Sequence, residues 1–221
     1  MLDIRTYPTP APWRVSYSWV TEVVPPMLYP PRRTPEIVPD QGIDSMNKNI
    51  PGSPTPSVAT VVTPTDQYAR PNYDVILFIG LAGNRPYYSF ETQAHRDGYK
   101  IPDVDGHLPA DENYWPSRGA PEVLTTSLDT ETLYKRWQEA LPDDIDVQTS
   151  NDPGRYLCDY IYFTGLFEYW RQQQGRMDSD RPVIFLHVPP EADDAAIQKG
   201  IQVASALIRA MAWTWIEKRS I

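Results

Sequence analysis

The apolar positions of the chain change period several times, and each change marks an element. Along 13-WRVSYSWVTEVVPPML-28, Trp13, Tyr17, Val20 and Val24 recur at helical spacing, and Pro25 and Pro26 are expected to end that helix. Residues 2–7 alternate weakly, as a short strand does. The run 74-DVILFIGLAG-83 is continuously apolar and closes on glycines, the pattern of a strand buried on both faces. A second strand is expected over 87-YYSFETQAH-95, and residues 97–119 are rich in turn formers, Asp103 and Asp105 among them. Then follow an amphipathic helix over 130–140, a strand over 145–150, a helix over 155–173 that is apolar nearly all round, and an interior strand at 182-PVIFLHV-188. The last helix, 193–217, has the clearest period: Ile197, Gly200, Ile201, Ala204, Leu207, Ile208, Met211 and Trp215 form one stripe, with Asp193 as N-cap. That stripe fits core packing or a subunit contact. Strands alternating with helices predict an α/β fold, a three-layer α/β/α arrangement around a mostly parallel central sheet. Sites in such folds form at the carboxyl ends of the strands.

Proline disturbs this regularity in the first third of the chain. Fourteen of the 24 prolines lie in residues 1–75, and 51-PGSPTPSVATVVTPT-65 has no apolar period. Such a composition buries too little surface to offset its ordering entropy, so a Pro-rich loop or insertion is expected at about 30–70 within a single domain of residues 1–221. The formal net charge of -9 disfavours nucleic acid and anionic membrane surfaces, which both need a positive footprint. A lone cysteine cannot close an intramolecular disulfide and suits a reducing compartment. The first dozen residues are too polar for a secretory signal, and no apolar run reaches the roughly 18 residues of a membrane span. A soluble, cytoplasmic protein is expected.

The chemistry centres on that cysteine, Cys158, in 150-SNDPGRYLCDYIYF-163. With Asp152 as cap and Pro153 in the first turn, Cys158 falls near a helix N-terminus, whose partial positive charge lowers a thiol pKa. Free cysteines are also ordinary packing residues, so the segment alone leaves both roles open. His187 tips the balance, because it closes a predicted strand where a side chain reaches the catalytic rim and could take the thiol proton. His95 and His107 lie in or beside the turn-rich segment and lack that context. Glu91, a carboxylate in a β-forming run, is the leading candidate to orient the imidazole.

These residues carry a family resemblance. The stretches 78-FIGLAGNRP-86, Glu91 followed by 97-DGYKIPDVDG-106, 150-SNDPGRYLCDYIYF-163 and 184-IFLHVPPEAD-193 resemble, in order and spacing, segments of the pyroglutamyl peptidase I (pyrrolidone-carboxylate peptidase) family. The resemblance implies a Cys158–His187–Glu91 triad that releases N-terminal pyroglutamate from a peptide through an acyl-enzyme, with no metal or organic cofactor. It places oxyanion or substrate contacts at Lys100, Leu81 and Leu157, where Leu81 replaces a family glutamine and Lys100 a family arginine. The family's first strand and its Phe- and Gly-rich loop have no counterpart, so a truncated chain is expected. The alternative is a catalytically impaired homologue that keeps the fold. An oligomer is left open.

Overall fold

The structure is a computed structural model that describes residues 14–29 and 73–220. The possible strand at 2–7 and the Pro-rich stretch at about 30–70 lie outside the described residues.

Strand β6 (Val183–Val188) is the centre of a four-stranded sheet. It pairs in parallel with β1 (Ile76–Leu81) and antiparallel with β2 (Tyr88–Glu91); β5 (Val147–Ser150) then pairs in parallel with β2. The order is β1-β6-β2-β5, so two of its three pairings are parallel and the sheet is mixed. Helices cover both faces. On one, α3 (Leu157–Gln172) packs over Phe78, Val183 and Phe185, and α1 (Tyr17–Leu28) packs on α3. On the other, α2 (Thr130–Glu139) and α4 (Asp194–Arg219) bury Trp137, Val203, Leu207 and Met211 against Phe90, Ile184 and Leu186. This is the expected α/β class in three layers. A strand between two helical layers is apolar on both faces, which is why β6 reads as a hydrophobic run over Val183–Leu186 before His187.

Four local expectations are corrected. The first apolar run is not buried on both faces: Ile79 and Leu81 of β1 are 55% and 58% exposed, since the second core reaches only as far as Leu77 along this strand. The strand expected over 87–95 breaks at Thr92, whose N–H donates to the Ser150 carbonyl and whose carbonyl accepts from Thr126 N–H. Beyond it, β3 (Gln93–His95) pairs antiparallel with an unforeseen β4 (Val123–Thr125) in a separate two-stranded sheet. Pro25 and Pro26 do not end α1, because Leu28 is buried and Tyr29 N–H donates to the Pro25 carbonyl to close the last turn. Along α4 the helical period holds, with Asp193 capping it through Ala196 N–H, but Ile197 and Ile201 are exposed. Burial begins at Val203, so the first turns of α4 overhang the sheet.

Two contacts fix α3. Asp103 caps α1 from a distant segment, accepting Tyr17 N–H at 2.9 Å while its other oxygen accepts from Asp105 and His107 N–H, and α1 in turn braces α3. Gly165 lets α3 approach the sheet closely: a Cβ there would lie 2.7 Å from Phe78 Cε2 and 3.3 Å from Val183 Cγ1. Alanine is better than glycine in a helix by about 1 kcal/mol, while overpacking a core costs about 1–3 kcal/mol. The clash is with buried groups, so Gly165→Ala is expected to lower stability by up to about 2 kcal/mol, measured by urea unfolding.

Candidate active site

The register of the sheet brings two chemistry-bearing residues, His187 and Glu91, to one face. Side chains at paired positions of neighbouring strands share a face. Gly80 of β1 is opposite His187 of β6, and Ser89 and Glu91 of β2 are opposite His187 and Phe185. Phe185 belongs to the core beneath α3, so His187 and Glu91 project to the α3 side as well. Although β2 runs against β6, it overlaps it by only three residues, which puts its last residue within reach of the end of β6. His187 Nδ1 and Glu91 Oε1 are 2.7 Å apart, and both side chains are buried. An ionised Glu91 makes Nδ1 the protonated nitrogen and leaves Nε2 as an acceptor.

Cys158 comes to the same place from α3. The helix starts at Leu157 with Tyr156 as N-cap, later than the Asp152 cap the sequence suggests; Asp152 instead accepts Gly154 N–H in the preceding loop. Cys158 is thus the second residue of α3, and no helical carbonyl lies four residues back to accept its N–H. Its sulfur rests on bare backbone: a Cβ on Gly80 would stand 3.1 Å from Cys158 Sγ and 2.6 Å from Phe185 Cζ. The Phe185 ring is in turn 4.7 Å from the His187 ring. Among the described residues no hydrogen bond joins Cys158 Sγ to the His187 ring.

Electrostatics reverse the expected direction for the thiol. Burial pushes Cys158 up to about 11, with the Glu91 and Asp159 carboxylates adding to the shift and Arg85 opposing it. The positive end of α3 is outweighed by loss of water around the sulfur.

Several participants are not evident from the sequence. Arg85 donates through Nη1 to Glu91 Oε1 (2.6 Å) and Ser89 Oγ (2.8 Å), and through Nη2 to the Asp152 carbonyl (2.7 Å). Glu91 Oε2 is buried without a hydrogen-bond partner among the described residues. Beside the thiol, fully buried Asp159 accepts His95 N–H at 2.8 Å, lies 3.2 Å from His95 Nδ1 and accepts from Arg155 Nη1 at 3.2 Å. Burial pushes Asp159 up to about 8 and His95 down. The one available signal for Asp159 was a charge inside a helix that is apolar nearly all round, which is costly unless partnered. Of the substrate-side positions, Leu157 is buried at the head of α3, Lys100 is exposed, and Leu81 ends β1 on the face away from α3. Among the described residues no group of three or more His, Cys, Asp or Glu is arranged to hold a metal ion. No described helix is long and apolar enough to cross a membrane.

A family model for pyroglutamyl peptidase matches residues 41–211. The chain belongs to the pyroglutamyl peptidase family. Its relatives include pyroglutamyl-peptidase 1 of Mus musculus, 32% identical over 116 residues that make up 52% of this chain and 49% of that protein. The Homo sapiens protein is 31% identical over the same shares. The pyrrolidone-carboxylate peptidase of Vibrio campbellii is 28% identical over 71% of this chain and 68% of its own. Among solved structures, pyrrolidone carboxyl peptidase from Pyrococcus furiosus is 26% identical over 66% of this chain and 70% of its own, with a TM-score of 0.48. This pyroglutamyl peptidase family chain spans about half the length of the mouse and human relatives it matches.

Two expectations follow for this family member. In Gly80→Ala the new methyl must displace the sulfur or the Phe185 ring, and a shift of about 1 Å at a reacting group can cost 10²-fold. The rate of Cys158 alkylation by iodoacetamide and any turnover should both fall by about 10–100-fold while the circular-dichroism spectrum is kept. A thiol raised to about 11 is protonated below that pH and reactive above it, so alkylation should keep rising through pH 10. A plateau already at pH 7 would mean a thiolate–imidazolium pair in the resting protein.

Proposed function

We propose that this protein is a cysteine-type hydrolase that removes N-terminal pyroglutamate from peptides, with Cys158 as nucleophile, His187 as base and acid, and Glu91 as the group that orients the imidazole. The observation that carries the reading is the 2.7 Å bond between His187 and Glu91 on the sheet face where the Cys158 sulfur lies over Gly80, the residue paired with His187. Membership of the pyroglutamyl peptidase family supports the reaction class.

In this reading the resting thiol carries its proton. Substrate binding brings Sγ and Nε2 together; Nε2 takes the thiol proton as sulfur attacks the carbonyl that follows the pyroglutamyl ring. The Cys158 N–H at the head of α3 stabilises the oxyanion. The imidazolium, held by Glu91, protonates the departing amine, and water then hydrolyses the thioester with His187 again as base. Lys100, Leu81 and Leu157 are the proposed oxyanion- or substrate-side positions. The reading needs no cofactor, treats residues 1–221 as one domain with a Pro-rich insertion, and places the free thiol in the cytoplasm.

The test is a fluorogenic pyroglutamyl amide. Cys158→Ala and His187→Gln should each lower kcat/KM by at least about 10⁴-fold, and Glu91→Gln by about 10²–10⁴-fold. Folded wild-type protein without turnover would point to the impaired homologue instead.

A further inference from the structure

Arg85 is placed where one guanidinium bonds the carboxylate that holds the His187 ring and the loop that leads into α3. It stands in the turn between β1 and β2, and its side chain is 17% exposed. Its Nη1 and His187 Nδ1 share one oxygen, Glu91 Oε1, at 2.6 Å and 2.7 Å, while Oε2 is left without a partner among the described residues. Its second nitrogen holds the Asp152 carbonyl, in the loop that leads into α3. A fork of this shape serves both contacts at once, which a lysine cannot do.

From this sharing we propose that Arg85 is a positioning residue that sets the basicity of His187: it neutralises much of the Glu91 charge on the very oxygen that faces the ring. The inference rests on the reading of His187 as the proton acceptor. A lone buried carboxylate against an imidazole would favour the charged ring strongly, and a ring already charged cannot take a thiol proton. The Glu91 and Arg85 charges cancel at short range, so the ring keeps its orientation without being forced into the imidazolium form. The other titratable groups around the ring are Cys158 and Asp159 on α3, with His95 and Arg155 behind Asp159. Arg85 is the cation closest to Glu91 among these, and Arg155 reaches Asp152 and Asp159 instead.

The experiment follows the ring itself. The chain has only three histidines, so isotope-labelled histidine gives few signals, and His187→Gln identifies the one in question. In Arg85→Met and Arg85→Gln the midpoint of His187 titration should rise by about one pH unit, and the acidic limb of kcat/KM should move up with it. Arg85→Lys, which keeps the charge but not the fork, should move the midpoint less than either neutral variant does. An unmoved midpoint in folded neutral variants overturns the proposal. So does loss of the folded circular-dichroism signal in both neutral variants, which would make Arg85 a structural residue. The ring titration needs no turnover, so an inactive wild type with a shifting midpoint would sink the hydrolase reading alone.

Discussion

A fully buried carboxylate, Glu91, is the constraint around which this end of the molecule is organised. Left unpaired in a core, such a charge is strongly unfavourable, and removing one partner of a buried pair costs about 3–5 kcal/mol. Two partners answer it here, the His187 ring and the Arg85 guanidinium, both on Oε1. Meeting that demand fixes the ring plane, joins β2 to the end of β6, and ties the β1–β2 turn to the loop before α3 through the Asp152 carbonyl. The Tyr162 hydroxyl, donating to the Glu91 main-chain carbonyl at 2.9 Å, links α3 to the same residue. An electrostatic requirement thereby becomes a geometric one.

The scaffold that meets it is held mainly by apolar burial. One core lies between the sheet and α3 and the other between the sheet and α2 and α4, with β6 contributing to both. Close approach at Gly165 and Gly80 sets how deep α3 sits, and that depth decides where the sulfur lies relative to the strand ends. Asp103, through the main-chain N–H of Tyr17, aligns α1 against the outer side of α3. Packing and polar contacts place the head of α3 from opposite sides.

Much of this was legible in the sequence, for identifiable reasons. The period of apolar residues marks most of the helices and strands, and the apolar run 183–186 announces a strand covered on both faces. Cys158 and His187 stood out as reactive side chains near the ends of predicted elements, and Glu91 as a carboxylate inside a β-forming run. What stayed hidden depends on three-dimensional neighbours. Arg85 looks like a turn residue until the strand order sets it against Glu91, and Asp159 gains a meaning only when β3 brings His95 to it across 64 positions. The bend at Thr92 follows from bonds to Ser150 and Thr126, which no local pattern records. The thiol was misjudged because the helix end is visible in sequence, whereas the water excluded by neighbouring rings is not.

The raised thiol has a consequence for survival in an oxidising burst. Peroxides and disulfides react with the anion of sulfur, and a thiol pushed up to about 11 by burial presents little of that anion at neutral pH. With its proton in place, the one thiol of the chain is therefore a poor target for conversion to the sulfenic acid or for capture by glutathione.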